Sequence, residues 1–217
     1  MNFILIDALN GSKTLYSEEY NENYHNLNGP EIESEHIFIN LGLKSFQGKV
    51  LNILEVGYGT GLNALMTFIK NEKMKNKIYY HGIDVLPVNE ETFNLLSYHK
   101  QFGINKEVCQ KFCVDWNIPM NIENEFILYK EIIDFQDFTP TINYDLIYFD
   151  AFSPNVQPEM WSFENLSKII KNINEGGIFV TYCSKGMVKQ SLRDLGMEVK
   201  RFSGPVGKRH VIRAIKK

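Results

Sequence analysis

Two short stretches combine residue types that can hold a nucleotide-like ligand and handle a proton. The first is Glu55-Val-Gly-Tyr-Gly-Thr-Gly61. Glycines at 57, 59 and 61 let the backbone take left-handed angles and approach a ligand closely. Their spacing is G-x-G-x-G, a weak signal alone. The dinucleotide fingerprint is G-x-G-x-x-G, where a helix N-terminus receives a pyrophosphate. Glu55 would sit badly beside a pyrophosphate. It suits the ammonium group of a methionine-like moiety, directly or through water. The segment KIYYHGID ends on Asp84, 27 residues after Gly57, where a carboxylate can accept both ribose hydroxyls of an adenosine. Together these residues favour S-adenosylmethionine over NAD. Tyr58 and Thr60 join Gly57, Gly59 and Gly61 as candidate cofactor contacts, whereas Tyr80 and His81 read as strand residues. The bland alternative is a tight strand–helix turn with no ligand.

The second stretch is YDLIYFD, ending on Asp150 and followed by Ala-Phe-Ser-Pro-Asn-Val-Gln-Pro-Glu-Met-Trp. Asp150 is the candidate catalytic residue, an acceptor for a proton or hydrogen bond from a nucleophile. Pro154 and Pro158 stiffen the loop, and Phe152 and Trp161 offer flat apolar surfaces. Against this, Asp150 could cap the next turn and Trp161 could be core.

These residues need strands and helices to aim them. Strands are expected at 50–56, 77–84, 126–131, 144–150, 176–183, 197–203 and 209–215, and helices at 60–71, 88–100, 105–113, 158–174 and 185–195. Such alternation implies a mostly parallel sheet covered on both faces. Only SGPVGKR separates the last two strands, so they should be antiparallel. The expected fold is α/β and Rossmann-like: a mostly parallel seven-stranded sheet ending in an antiparallel hairpin. Residues 49–217 would form this domain. Residues 1–48 would be an N-terminal extension, with two strands around Asn10-Gly11 and a helix carrying Ile32, Ile37, Phe38 and Leu41.

The 217 residues, 44% apolar and 23% charged, fit one globular α/β domain. No run is long and apolar enough for a membrane span, and the first residues show neither a basic region nor a cleavage site. Three cysteines, Cys109, Cys113 and Cys183, are too few for a disulfide framework and fit a reducing, cytoplasmic setting; no metal site is expected. The net charge is -3, but residues 185–217 hold ten Lys and Arg against two acids, leaving 13 against 24 elsewhere. That asymmetry suits a basic face on an acidic body, or simply a lysine-rich surface.

The sequence resembles the methyltransferase module of the bifunctional tRNA wobble-uridine enzyme MnmC, also known free-standing as MnmD. SKTLYSEEYNENYHN, ESEHIFI, EVGYGTGLNAL, FDAFSPNVQPEMW and FSGPVGKRHVIRA carry the resemblance, in the family's order and across nearly the whole chain. It implies methyl transfer from S-adenosylmethionine to the primary amine of 5-aminomethyl-2-thiouridine in the tRNA anticodon, giving 5-methylaminomethyl-2-thiouridine. Glu55, Gly57, Gly59 and Gly61 match the family's cofactor loop, Asp84 its ribose-binding acid and Asp150 the acid that opens its substrate loop. An acid after the third strand contacts the adenine side in the family; Glu131 and Asp134 compete for that role, and Asp134 is carried forward. Two departures stand. The family often has Asp-Gly-Phe-Ala-Pro where this chain has Asp-Ala-Phe-Ser-Pro, and its Trp-Pro pair is split here into Trp116 and Pro119. The flavin-bearing oxidase half is absent from these 217 residues, and a separate flavoprotein acting upstream is a candidate partner. Recognition of the anticodon loop would use phosphate contacts from Lys208, Arg209 and His210, with Lys185 and Lys189, and stacking on Phe152 or Tyr182; Arg209, which opens an expected strand, could instead be structural. The competing readings are a methyltransferase or aminopropyltransferase acting on a small amine, and a cofactor-sensing or RNA-binding module without catalysis.

Overall fold

The computed structural model describes residues 3–217. At its centre is β4, Val50–Val56, whose Leu51, Ile53, Leu54, Glu55 and Val56 are all buried. A strand buried on both faces reads as a continuous apolar run, as VLNILEV does apart from its two polar residues. It pairs in parallel with β5, Lys77–Asp84, on one side and with β8, Tyr144–Phe149, on the other. β5 pairs in parallel with β7, Phe126–Ile132, and β8 with β9, Ile173–Thr181. β11, His210–Lys216, inserts between β9 and β10, Met197–Ser203, antiparallel to both. The order is β10-β11-β9-β8-β4-β5-β7-β6, the last being a two-residue antiparallel edge, Met120–Asn121. The seven expected strands are thus present, with that short edge added.

Alternate residues of the central strands feed opposite cores. Ile53, Tyr80, Leu146 and Tyr148 pack with α2, Leu62–Met74. Leu54, Ile147, Phe149 and Phe179 pack with α6, Phe163–Ile170, and α7, Gly186–Asp194. Each large side chain removed from water contributes roughly 1.5–3 kcal/mol.

The helices differ from expectation where local geometry intervenes. The span 88–100 is split by Ser97 at φ 56 into α3, Glu90–Leu96, and α4, Tyr98–Phe102. α5 is one short piece, Lys106–Gln110. The span 158–174 begins as a 3-10 turn at Pro158–Trp161, and α6 starts only after Ser162, whose Oγ accepts from the backbone N–H of Asn165. Its end is earlier too, because β9 already begins at Ile173.

The N-terminal hairpin forms as expected: β1, Phe3–Asp7, pairs with β2, Lys13–Ser17, around Gly11 at φ 83. A two-residue β3, Glu22–Asn23, joins it. α1, Pro30–Ser34, runs into a π-helical turn, Glu35–Asn40. Ile37 and Phe38 are buried, with Phe38 against Tyr148, but Ile32 is exposed. Leu15, Ile37, Phe38 and Ile39 share one core with Ile53 and Leu65. This segment is therefore a wall of the main body. No helix among the described residues is long and apolar enough to cross a membrane.

Candidate active site

The carboxyl ends of β5, β4 and β8 lie side by side and deliver Asp84, the glycine loop and Asp150 to one crevice. Strand order reverses at β4, the position where open α/β sheets bind ligands. Gly57, at φ 85, crosses so close to β8 that a Cβ would meet the Asp150 carbonyl oxygen at 2.7 Å. The amide of Asp150 in turn donates to the Val56 carbonyl at 2.9 Å. Gly59, at φ 54, faces the Tyr24 ring, and its N–H donates to Asp84 Oδ2 at 2.7 Å, while Leu86 N–H donates to Oδ1 at 2.9 Å. Burial raises the Asp84 pKa, and these two amides oppose the shift. Each oxygen keeps a lone pair for a further donor. A cavity of 490 Å³ opens here, lined by Gly57, Gly59, Asp84, Asp134, Asp150 and Lys208 among others.

Asp150 does not stand alone. Asn63, in the first turn of α2, donates through Nδ2 to Asp150 Oδ2 at 2.8 Å and to Glu55 Oε1 at 2.9 Å. Ser34 Oγ donates to Asn63 Oδ1 at 2.6 Å, which fixes the amide orientation. Glu55 is fully buried and also accepts from Tyr80 Oη at 2.8 Å. Burial raises the Glu55 pKa well above the ordinary range, against the hydrogen bonds from Tyr80 and Asn63. Burial also pushes Asp150 up to about 8; Glu33 adds to the shift, and Asn63 and Lys208 oppose it. An acid with a pKa in that range can take or relay a proton at neutral pH.

The opposite wall comes from the N-terminal segment. Tyr20 stacks on Phe152 at 4.6 Å and Tyr24 meets it edge-on at 5.1 Å. Glu22 Oε2 accepts from Ser153 N–H at 2.9 Å, tying β3 to the loop after Asp150. His25 lies beside Thr14 and Thr60, and its pKa is lowered to about 4 by burial and then by Lys208, so its ring is neutral. The turn between β10 and β11 closes the rim: Asn26 Nδ2 donates to the Val206 carbonyl at 3.0 Å, and Lys208 pairs with Glu33.

Residues 99–217 match a family described as S-adenosyl-L-methionine-dependent methyltransferase. The chain belongs to that family. This methyltransferase is similar to the tRNA 5-methylaminomethyl-2-thiouridine biosynthesis bifunctional protein MnmC of Campylobacter fetus, with 28% identity across 92% of this chain and 34% of the relative. The protein of the same name from Burkholderia multivorans is 24% identical across 94% of this chain and 34% of its own length. The chain thus spans about a third of the curated relatives it matches. A crystal structure of MNMC2 from Aquifex aeolicus superposes with a TM-score of 0.73 and 26% identity, covering all of this chain and 71% of that one.

Within the methyltransferase the candidate residues divide. Gly57, Gly59, Thr60, Asp84, Asp134, Asp150, Phe152 and Lys208 line the cavity. Tyr58 lines it too. Its ring is buried over Gly82, where a Cβ would come within 2.2 Å, and its hydroxyl donates to the Phe112 carbonyl. Gly61, at φ 74, starts α2 outside the cavity, where a Cβ would strike the Tyr58 ring. Glu55 also lies behind the wall and reaches the cavity through Asn63. Of the two competing acids, Glu131 is engaged with His81 at 3.0 Å, and Asp134 faces the cavity. Trp161 is core, fully buried, with Nε1 donating to the Phe152 carbonyl. Arg209 is exposed and outside the cavity. Cys109, Cys113 and Cys183 are buried free thiols. Sequence reasoning gave no role to Asn63, Ser34, Glu33, His25 or Tyr24, although all five lie in stretches that carry the family resemblance; Asn63 carried a further signal, as the polar residue two positions after the glycine loop.

Proposed function

We propose that this methyltransferase carries a methyl group from S-adenosylmethionine to the primary amine of 5-aminomethyl-2-thiouridine at the tRNA wobble position, giving 5-methylaminomethyl-2-thiouridine. The observation that carries the reading is the backbone contact between Gly57 and Asp150 at the ends of adjacent strands. It brings the glycine loop and Asp150 to one cavity, which supports a cofactor at the loop and an acceptor amine at Asp150. The relatives named for biosynthesis of that nucleoside add the substrate.

The residues present fit the cofactor. The absence of a Cβ at Gly57 lets the loop pack on the Asp150–Ala151 backbone, and Gly57 and Gly59 line the cavity. Asp84, held by two amides, has acceptor capacity left for ribose hydroxyls. Asp134, which lines the cavity where Glu131 does not, would take the adenine side, with Thr60 and Tyr58 in the loop. S-adenosylmethionine supplies the methyl group already activated as an electrophile on a sulfonium. The protein's task is then alignment of donor and acceptor and control of the acceptor's proton.

A protonated amine has no lone pair with which to attack. Asp150 accepts a hydrogen bond from the amine, fixes its direction and receives or relays its proton. Asn63 holds one Asp150 oxygen in place, leaving the rest of the carboxylate free for the acceptor. Phe152, backed by Tyr20 and Tyr24, offers the surface on which an unstacked base can lie. Arg209 and Lys185, both exposed, and Lys189 supply phosphate contacts.

The test is labelled methyl transfer from S-adenosylmethionine, offering tRNA that bears aminomethyl groups, free polyamines, or no acceptor. Incorporation confined to the wobble nucleoside is expected. Incorporation into polyamine alone would overturn the reading.

A further inference from the structure

Lys208 reads from the sequence as one of a basic cluster suited to phosphate. Its neighbour Arg209 points to solvent, but the Lys208 side chain turns inward and is 28% exposed. It pairs with Glu33 of α1, whose side chain is 10% exposed. Its Nζ sits 3.8 Å from the centre of the Tyr182 ring. Tyr182 Oη donates to the carbonyl of Ala151, the residue after Asp150, at 2.8 Å. Lys208 and Asp150 line the same cavity.

We infer that Lys208 is a positioning residue of the methyl-transfer step: its ammonium disfavours a cationic acceptor beside Asp150, and so holds the acceptor amine in its neutral, nucleophilic form. This rests on the proposed amine substrate.

The physical basis is the effect of one charge on another's titration. A nearby cation disfavours the protonated form of an amine and favours the ionised form of a carboxyl group. Both effects take the proton off the pair formed by Asp150 and the amine. A bare carboxylate does the reverse to the amine, because it stabilises the ammonium; Lys208 offsets that. The groups facing Lys208 are Glu33 from α1, Asp150 after β8, Tyr182 and Cys183 after β9, and His25 from the segment before α1. His25 is neutral, burial raises the Tyr182 and Cys183 pKa values so that both stay uncharged, and Glu33 is the direct counter-ion. The Glu33 carboxylate is itself anchored by the Asn26 N–H at 3.1 Å. Asn26 also holds the Val206 carbonyl in the turn that carries Lys208. The position of the cation is therefore built by the fold, whereas a phosphate ligand would be free to reach outward.

The experiment is the pH profile of kcat for methyl transfer to aminomethyl-bearing tRNA, with KM for tRNA at several salt concentrations. Wild type, Lys208→Gln, Lys208→Arg and Glu33→Gln are compared, and S-adenosylhomocysteine binding reports an intact cofactor site. Lys208→Gln should move the acid limb to higher pH by about one unit, roughly a tenfold loss of kcat below the limb that alkaline pH restores. Lys208→Arg should keep the wild-type limb. Glu33→Gln removes the opposing charge and should move the limb to lower pH. The salt dependence of KM should stay that of wild type in all three. An unmoved limb with a raised KM and a shallower salt dependence overturns the inference and makes Lys208 a phosphate ligand. Loss of S-adenosylhomocysteine binding in Lys208→Gln, with an unmoved limb in Glu33→Gln, also overturns it and makes the residue structural. If wild type transfers no methyl to the tRNA amine, the proposed substrate fails instead.

Discussion

Replacing Asp150 with asparagine should abolish most activity and, at alkaline pH, make the folded protein more stable. Burial is the main cause holding the Asp150 carboxyl at about 8, against an ordinary 3.8. The folded protein therefore binds this proton more tightly than the unfolded chain does. Below about pH 4 both states are protonated and the group has no effect. As pH rises from about 4 to about 8 the unfolded chain ionises first, and stability falls. A shift of about four units corresponds to at most ~6 kcal/mol. Asp150 sits half-buried at a cavity wall where water screens its charge, so about 2 kcal/mol is the expected share. Asparagine never ionises, and its Oδ1 can still accept from Asn63. Thermal unfolding without cofactor should show Asp150→Asn about 4–8 °C above wild type at pH 8.5, and level with it at pH 4. Methyl transfer should fall by about 10²–10⁴-fold, with cofactor affinity retained. A variant less stable than wild type at pH 8.5 would refute the reasoning, because the carboxylate would then be paired rather than poorly solvated.

Other substitutions separate the parts of the site. Gly57→Ala should weaken cofactor binding about tenfold or more by titration calorimetry, because its Cβ meets the Asp150 carbonyl at 2.7 Å and φ is 85. Asp84→Asn should lower cofactor affinity by about tenfold through loss of ribose contacts; unchanged affinity would remove Asp84 from the site. Tyr80→Phe takes one of the two donors from buried Glu55 and should cost about 1–3 kcal/mol in chemical denaturation, with cofactor contacts untouched. Arg209→Glu should weaken tRNA binding and reduce its salt slope by about one, with cofactor affinity unaltered.

What the sequence made legible follows periodicity and motif. Strand–helix alternation and the tight SGPVGKR connection foretold the parallel sheet and its antiparallel end, because both depend on local pattern. The glycine loop and Asp84 were legible because strands ending beside a topological switch must meet. Glu55 was harder. Its position in the motif suggests ligand contact, but alternation along β4 turns its side chain into the core, where Tyr80 and Asn63 satisfy it. Lys208 shows the same limit, since a basic cluster does not reveal which member turns inward. The Tyr24, His25 and Glu33 wall depends on an irregular segment folding across the sheet ends, and no local period encodes such a contact. Ser97 broke a helix that periodicity had drawn as continuous, through one residue in a left-handed conformation.

Asp150 and the glycine loop are proposed to act together in methylating an amine on tRNA. The most direct measurement is nucleoside mass spectrometry of aminomethyl-bearing tRNA incubated with the purified protein and S-adenosylmethionine. 5-Aminomethyl-2-thiouridine should disappear as 5-methylaminomethyl-2-thiouridine appears, and Asp150→Asn should leave the starting nucleoside in place. Unchanged 5-aminomethyl-2-thiouridine with wild-type protein that demonstrably binds the cofactor would contradict it.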